Sequence, residues 1–219
     1  MRQYPVNLAL ESKPCAVIGG GEVAARKVNG LLEAGAEVTI ITPEACDAIE
    51  KSARRGEVKI VRRKYRKGDL KGMKLALVAT DDSDLNCRVA AEARSLNVPV
   101  NVADAPDECD FTLPALLRRG DITIAVGTGG SSPALARALK DLIGKVIGPE
   151  YGELARILGK LRKRFVERGE NLAGRRELFE SLIASELKEC LKRCDYAAAR
   201  RIIADLAGED MEISLEDGQ

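Results

Sequence analysis

Short apolar runs alternate with helical repeats through the first half of the chain. Cys15 to Ile18, Val38 to Thr42, Val58 to Val61, Leu75 to Ala79 and Val98 to Val102 have the length and near-continuous hydrophobicity of strands buried on both faces. Between the first two, Ala24, Val28, Leu31 and Leu32 recur at helical spacing and Gly35 supplies a stop. Ala48, Ile49 and Ala53 do the same ahead of Gly56, and Leu85, Val89, Ala93 and Leu96 follow the start signal Asp82-Ser83. Strand and helix in regular alternation predict βαβ units, a parallel sheet covered by helices on both sides.

The pattern changes after Asp110. Phe111 to Arg119 predicts a connecting helix and Ile122 to Val126 one more strand. Gly127-Thr-Gly-Gly-Ser-Ser-Pro133 predicts a loop into a helix capped by Ser132, with Pro133 at its first position and Leu135, Leu139, Leu142, Ile143 and Val146 on one face. Beyond Tyr151 the chain reads as helical, with Tyr151, Leu154, Leu158, Leu161 and Phe165 as one stripe. Phe179, Leu182, Ile183, Leu187 and Leu191 form a second, and Ile202, Ile203 and Leu206 a third.

With 219 residues, 45% hydrophobic and 32% charged, the chain has the composition of a globular protein, and it holds no apolar run of the roughly 20 residues that a membrane span needs. Its first residues lack the apolar stretch of a secretion signal, so a cytoplasmic location is expected. Six scattered cysteines with no Cys-x-x-Cys pair read as reduced and structural, and no metal site is expected. A net charge of +1 does not suit a polyanion binder. The basic run over 51–74 lacks interleaved stacking aromatics and reads as a solvated edge rather than a nucleic-acid surface. There is no histidine, so any general base must be Asp, Glu, Lys, Tyr or Cys.

Gly19, Gly21 and Ala24 satisfy G-x-G-x-x-A between the first strand and the first helix. In that setting the first glycine permits a tight turn, the second lets a pyrophosphate reach the backbone, and the alanine lets helix and strand approach. The helix N-terminus then holds the phosphate charge, so a dinucleotide is the expected ligand. The acid that usually grips the ribose is missing: the second strand ends in Ile41-Thr42-Pro43, with Glu44 the nearest carboxylate. Thr42 is the hydroxyl at hand, and no arginine directly follows to favour the extra phosphate of NADP, which leaves NAD against NADP open. Carboxyl ends of strands face the ligand crevice in open α/β sheets. The expected cofactor contacts are accordingly Gly19, Gly20, Gly21, Glu22, Val23, Ala24, Thr42, Pro43, Thr80, Asp81 and Asn101. Asp81 and Asp82 have a competing role as helix caps, whereas Asp104, ahead of Pro106, is either a turn residue or a functional acid.

Four motifs, Gly19-Gly-Gly-Glu-Val-Ala-Ala-Arg-Lys27, Ala79-Thr-Asp-Asp82, Asn101-Val-Ala-Asp-Ala-Pro106 and Gly127-Thr-Gly-Gly-Ser-Ser-Pro133, together resemble the precorrin-2 dehydrogenase family, including the N-terminal unit of siroheme synthase and bifunctional dehydrogenase/ferrochelatases. The resemblance implies an α/β fold with a Rossmann-like NAD-binding domain over 1–112, a dimerisation segment over 113–149 and a small all-helical domain over 150–208. An acidic tail over 209–219 is expected to be disordered. It further implies a homodimer that oxidises precorrin-2 to sirohydrochlorin with NAD, with Asp104 as the catalytic base. Thr128, Gly129, Gly130, Ser131 and Arg137 are the expected acceptors of the substrate's carboxylates, Thr128 standing where relatives commonly have serine. Two other readings remain: a bifunctional enzyme that also inserts iron, and a non-catalytic module that senses NAD.

Overall fold

The computed structural model describes residues 3–169 and 175–210. They form two compact units that meet in sequence at Leu113 and Pro114. In the first, β1 (Pro14–Ile18), β2 (Glu37–Ile41), β3 (Val58–Val61), β4 (Leu75–Val78) and β5 (Val100–Val102) make a parallel sheet in the order β3-β2-β1-β4-β5. The helices α1 (Glu22–Glu33), α2 (Asp47–Arg54) and α3 (Ser83–Ser95) cross between strands.

Strand periodicity divides the core in two. Cys15 and Val17 of β1 point to the face covered by Ala24, Val28 and Leu31 of α1 and Ile49 of α2. Ala16 and Ile18 point to the other, against Val89, Ala90 and Ala93 of α3. In register, Cys15 lies beside Val38 on one flank and Leu75 on the other, so each sheet row continues through three strands. A one-residue slip would exchange the two cores, which is why continuous apolar strands still specify their pairing. Burial pushes the Cys15 thiol up to about 11, keeping it protonated and inert.

The second unit opens with an antiparallel hairpin, β6 (Ala115–Arg119) and β7 (Ile122–Val126), packed on α4 (Pro133–Val146). Here the expected helix over Phe111 to Arg119 is corrected: Leu116 and Leu117 alternate between exposed and buried, and Gly120-Asp121 turns the chain with Gly120 at φ +53°. The run Ile122 to Val126 pairs with this strand and not with the parallel sheet. Among the described residues four helices follow: α5 (Pro149–Glu167), α6 (Arg176–Ala184), α7 (Leu187–Lys192) and α8 (Tyr196–Ala207). Leu154, Ile157, Leu161 and Phe165 of α5 form their core with Leu182, Leu187, Leu191 and Ile203. Gly152 lets α5 touch the hairpin, since a side chain there would stand 2.5 Å from the Arg119 carbonyl oxygen.

Two further expectations change. The stripe Phe179 to Leu191 is broken at Ser185, whose hydroxyl donates to Leu182 O at 2.8 Å and accepts from Leu187 N, so α6 and α7 are separate helices. The acidic end is not uniformly free: Glu209 is buried and accepts hydrogen bonds from Arg164 and Arg168 of the α5 end. Residues 211–219 of the expected tail lie outside the described residues. The described residues from Pro114 onward fall in one compact unit. In the basic run, Arg55, Arg62 and Arg63 are paired with Glu57, Glu50 and Asp69. Among the described residues no helix is long and apolar enough to cross a membrane.

Candidate active site

The three consecutive glycines at the exit of β1 have three different reasons. Gly19 adopts φ +117°, and a Cβ on it would stand 2.1 Å from the Ala79 carbonyl oxygen at the end of β4. Gly20 is closed in by the β2 exit, with a Cβ 1.9 Å from Glu44 O and 2.6 Å from Thr42 Oγ1. Both are therefore demanded by the chain's own packing. Gly21 meets nothing within 4 Å. It is the N-cap of α1, in extended conformation and with no side-chain cap, so the first N–H groups of the helix open onto free space. An uncapped, open helix N-terminus of this kind suits an anion such as a pyrophosphate. Glu22 and Val23 are exposed at its rim, while Ala24 is wholly buried beneath it.

The neighbouring strand exits are self-supporting. Thr42 is 5% exposed and its hydroxyl donates to Glu44 O at 2.6 Å, so it shapes the loop that seals Gly20 and its proton is not offered to a ribose. Pro43 and Glu44 are the exposed residues there. Thr80 donates to Asn86 Oδ1 at 2.6 Å and receives Asn86 Nδ2 on its carbonyl at 3.0 Å. Asp82 caps α3 by accepting from Leu85 N at 2.9 Å, leaving Asp81 exposed toward solvent.

Asp104 follows β5 in the left-handed region, φ +59°, and is exposed. A non-glycine residue there carries backbone strain, less for Asp than for most, and such strain gathers at functional positions. The loop around it is tightly fastened. Ala103 N donates to Val78 O at 2.9 Å, and Asp110 ties its base by accepting from Val100 N at 2.9 Å. The Cys109 thiol lies in its throat, 3.2 Å from both Val102 N and Val102 O. Asn101, expected as a cofactor contact, is 7% exposed and turns inward: its Nδ2 donates to Phe111 O at 2.9 Å and its Oδ1 accepts from Lys27 Nζ at 2.6 Å. Burial lowers the Lys27 ammonium from the ordinary lysine range, while Cys109 and Asp104 act to raise it and Arg26 to lower it. Lys27 was not among the expected site residues; a lysine on the otherwise apolar face of α1 was its only sequence signal.

In the second unit, Thr128 Oγ1 accepts from Ser132 N at 3.1 Å, Ser131 N donates to Thr128 O at 3.0 Å, and Gly129 and Gly130 have φ of +61° and +87°. Ser132 caps α4 through Leu135 N at 3.2 Å, with Pro133 first in the helix, as its sequence predicts. Arg137 is exposed one turn on, its Nε donating weakly to Pro133 O at 3.4 Å. The loop thus exposes polar groups and a cation together.

The chain matches two family models, one described as putative NAD(P)-binding over residues 6–115 and one as the sirohaem synthase dimerisation region over residues 150–206. The second lies on the helices rather than on the segment 113–149, where pairing was expected. A siroheme synthase from Methylococcus capsulatus is 38% identical over 94% of this chain and 44% of its own length, and one from Methylobacillus flagellatus is 36% identical over 91% and 43%. The chain thus spans less than half the length of these relatives. The solved structure of SirC, a precorrin-2 dehydrogenase, superposes with a TM-score of 0.77 at 24% identity, covering 94% of this chain and 100% of that one, so the fold is shared. With residues 6–115 matched by the nucleotide-binding model and residues 150–206 by the sirohaem synthase dimerisation model, the chain belongs to the family described as putative NAD(P)-binding and is similar to part of siroheme synthase.

Proposed function

We propose that this protein oxidises precorrin-2 to sirohydrochlorin with NAD, as a homodimer. The observation that carries the reading is Asp104: an exposed carboxylate on a strained, tightly fastened loop at the carboxyl end of β5, the same end of the parallel sheet as the open helix N-terminus at Gly21. Gly21, Glu22 and Val23 hold the pyrophosphate with backbone N–H groups. Exposed Pro43 and Glu44 border the ribose, and a carboxylate there opposes the extra phosphate of NADP, which favours NAD. Bound NAD supplies the hydride acceptor. Once the hydride has left the macrocycle, the substrate must shed a proton, and Asp104 accepts it, a role that a chain without histidine assigns to a carboxylate. Arg137, the N–H groups of Gly129 and Gly130, and the Ser131 hydroxyl receive carboxylates of the substrate, in a loop that Thr128 fastens through its bonds with Ser131 and Ser132.

The homodimer is supported by α4, where Leu135, Leu139, Leu142 and Val146 are 39–67% exposed along one face, an apolar stripe that a second copy would cover. Incubation with NAD and precorrin-2, followed spectroscopically for sirohydrochlorin and NADH together, tests the activity. A chain that binds NAD yet forms neither product is a sensor and not this enzyme.

A further inference from the structure

Asp104 is carried by a loop whose two ends are joined through one side chain. After β5 the chain runs Val102-Ala103-Asp104-Ala105, and the short turn Pro106–Glu108 then brings Cys109 back to Val102. Within that turn Glu108 N donates to Ala105 O at 3.0 Å and Cys109 N to Pro106 O at 3.2 Å. The Cys109 Sγ lies 3.2 Å from Val102 O and 3.3 Å from Ala105 O, and it accepts from Val102 N at 3.2 Å. Asn101 Nδ2 stands 3.5 Å from the same sulfur. A thiol has one proton, so the two carbonyls share it while the lone pairs take the two N–H donors. These bonds straddle Asp104, reaching Val102 before it and Ala105 after it. The residue between them stands at φ +59°, a region less favoured for any side chain than the right-handed or extended ones. Its carboxylate is exposed, so its direction is set by the backbone that carries it.

We propose that Cys109 is the positioning residue for Asp104: by bonding Val102 and Ala105, its thiol locks the left-handed turn between them and so aims the carboxylate that takes the substrate's proton. This rests on the proposed role of Asp104 as base. Cys109 touches neither substrate nor cofactor in this account and acts through Asp104 alone. The sulfur is itself anchored. Cys109 and Ala105 pack against the core face that holds Ala16 and Ile18. On one side of the cysteine, Asp110 N donates to Val100 O at 2.9 Å while Asp110 Oδ2 accepts from Val100 N at 2.9 Å. On the other, Glu108 pairs with Arg94 of α3 at 2.8 Å. Sheet and helix together therefore fix the thiol, and what it bonds is fixed with it. A serine hydroxyl keeps the same donor and acceptor pattern at shorter reach, whereas alanine and valine remove it.

The experiment compares the wild-type chain with Cys109→Ala, Cys109→Val, Cys109→Ser, Asp104→Ala and the double variant Cys109→Ala/Asp104→Ala. Precorrin-2 turnover at saturating NAD, NAD affinity by calorimetry, and the backbone NMR shifts of Asp104 in the protein alone are measured. The proposal predicts that Cys109→Ala lowers kcat by about tenfold or more while NAD binds within about twofold of the wild type, and that Cys109→Ser recovers part of the loss. The double variant turns over no more slowly than Asp104→Ala, because a residue that acts through Asp104 then has nothing left to position. The Asp104 shifts leave their left-handed values in Cys109→Ala and keep them in Cys109→Ser. Cys109→Val, which fills the volume without the bonds, takes the place of alanine in every comparison if Cys109→Ala does not fold. Unchanged kcat in the variant without the bonds, or the same fractional loss again in the Asp104→Ala background, overturns the proposal and leaves the activity standing. If the wild type forms no sirohydrochlorin, the activity falls and the Asp104 shifts decide: their change in Cys109→Ala keeps the hold of Cys109 on Asp104, and unchanged shifts overturn it.

Discussion

Gly19 and Ala79 approach so closely that a methyl group on Gly19 would stand 2.1 Å from the Ala79 carbonyl oxygen. This contact locks the exit of β1 to the end of β4, and it separates the glycines into one kind that the fold requires and another that the ligand requires. Gly19→Ala must displace backbone and also occupy φ +117°, so it should cost about 2–4 kcal/mol in denaturant unfolding. Gly21→Ala has open space and should lose no more than about 1 kcal/mol, yet bind NAD about tenfold or more weakly by calorimetry, because the methyl group keeps a pyrophosphate from approaching the backbone. Equal stability losses in the two variants would contradict this division.

The strain at Asp104 makes a second prediction. Glycine reaches φ +59° without penalty, so Asp104→Gly should unfold at the same or a higher denaturant concentration than the wild type, with a gain of up to about 1 kcal/mol, while turnover is lost. A destabilised Asp104→Gly would mean that the carboxylate holds the loop rather than serving chemistry.

Glu209 governs a pH response in the helical unit. Hydrogen bonds from Arg168 and then Arg164 lower its carboxyl below the usual glutamate value. A group with a depressed folded pKa stabilises above its unfolded value, and that contribution is lost as pH falls through the folded one. Thermal unfolding of Glu209→Gln should therefore occur at a lower temperature than that of the wild type at neutral pH. The gap should close in acid, where the wild-type carboxyl is protonated too. A gap independent of pH would argue that packing, not charge, fixes this residue.

If the exposed stripe of α4 is the face of the proposed homodimer, Leu139→Asp together with Leu142→Asp weakens self-association by more than tenfold in sedimentation experiments. If the pair of substitutions leaves sedimentation unchanged, the subunits meet elsewhere.

Much of this architecture was legible because its signals are local. Val58–Val61 and Ile122–Val126 stand as strands over the runs their apolar residues marked, and Ser132-Pro133 opens α4 as capping chemistry requires. The hairpin was missed at Ala115 to Arg119, where leucines suggested helix. Gly120-Asp121 between two short runs was the overlooked turn signal. The break at Ser185 was hidden because α6 and α7 continue one apolar periodicity through a residue that is only bent by its own hydroxyl. At the candidate site, the tight glycine turn after β1 was legible in the sequence, whereas Gly20's contact with Glu44, the inward turn of Asn101 and its bond to Lys27 join residues far apart in the chain. Pairings of that kind arise from the fold, and no spacing along the chain encodes them.

The most direct test of the account is a comparison of wild-type protein and Asp104→Ala, each shown to be folded by its unfolding transition, in a reaction with precorrin-2 and NAD. The account predicts sirohydrochlorin and NADH in equal amounts from the wild type and loss of at least about a hundredfold in rate from the variant. Comparable product formation by Asp104→Ala, or a wild type that yields neither product, would contradict it.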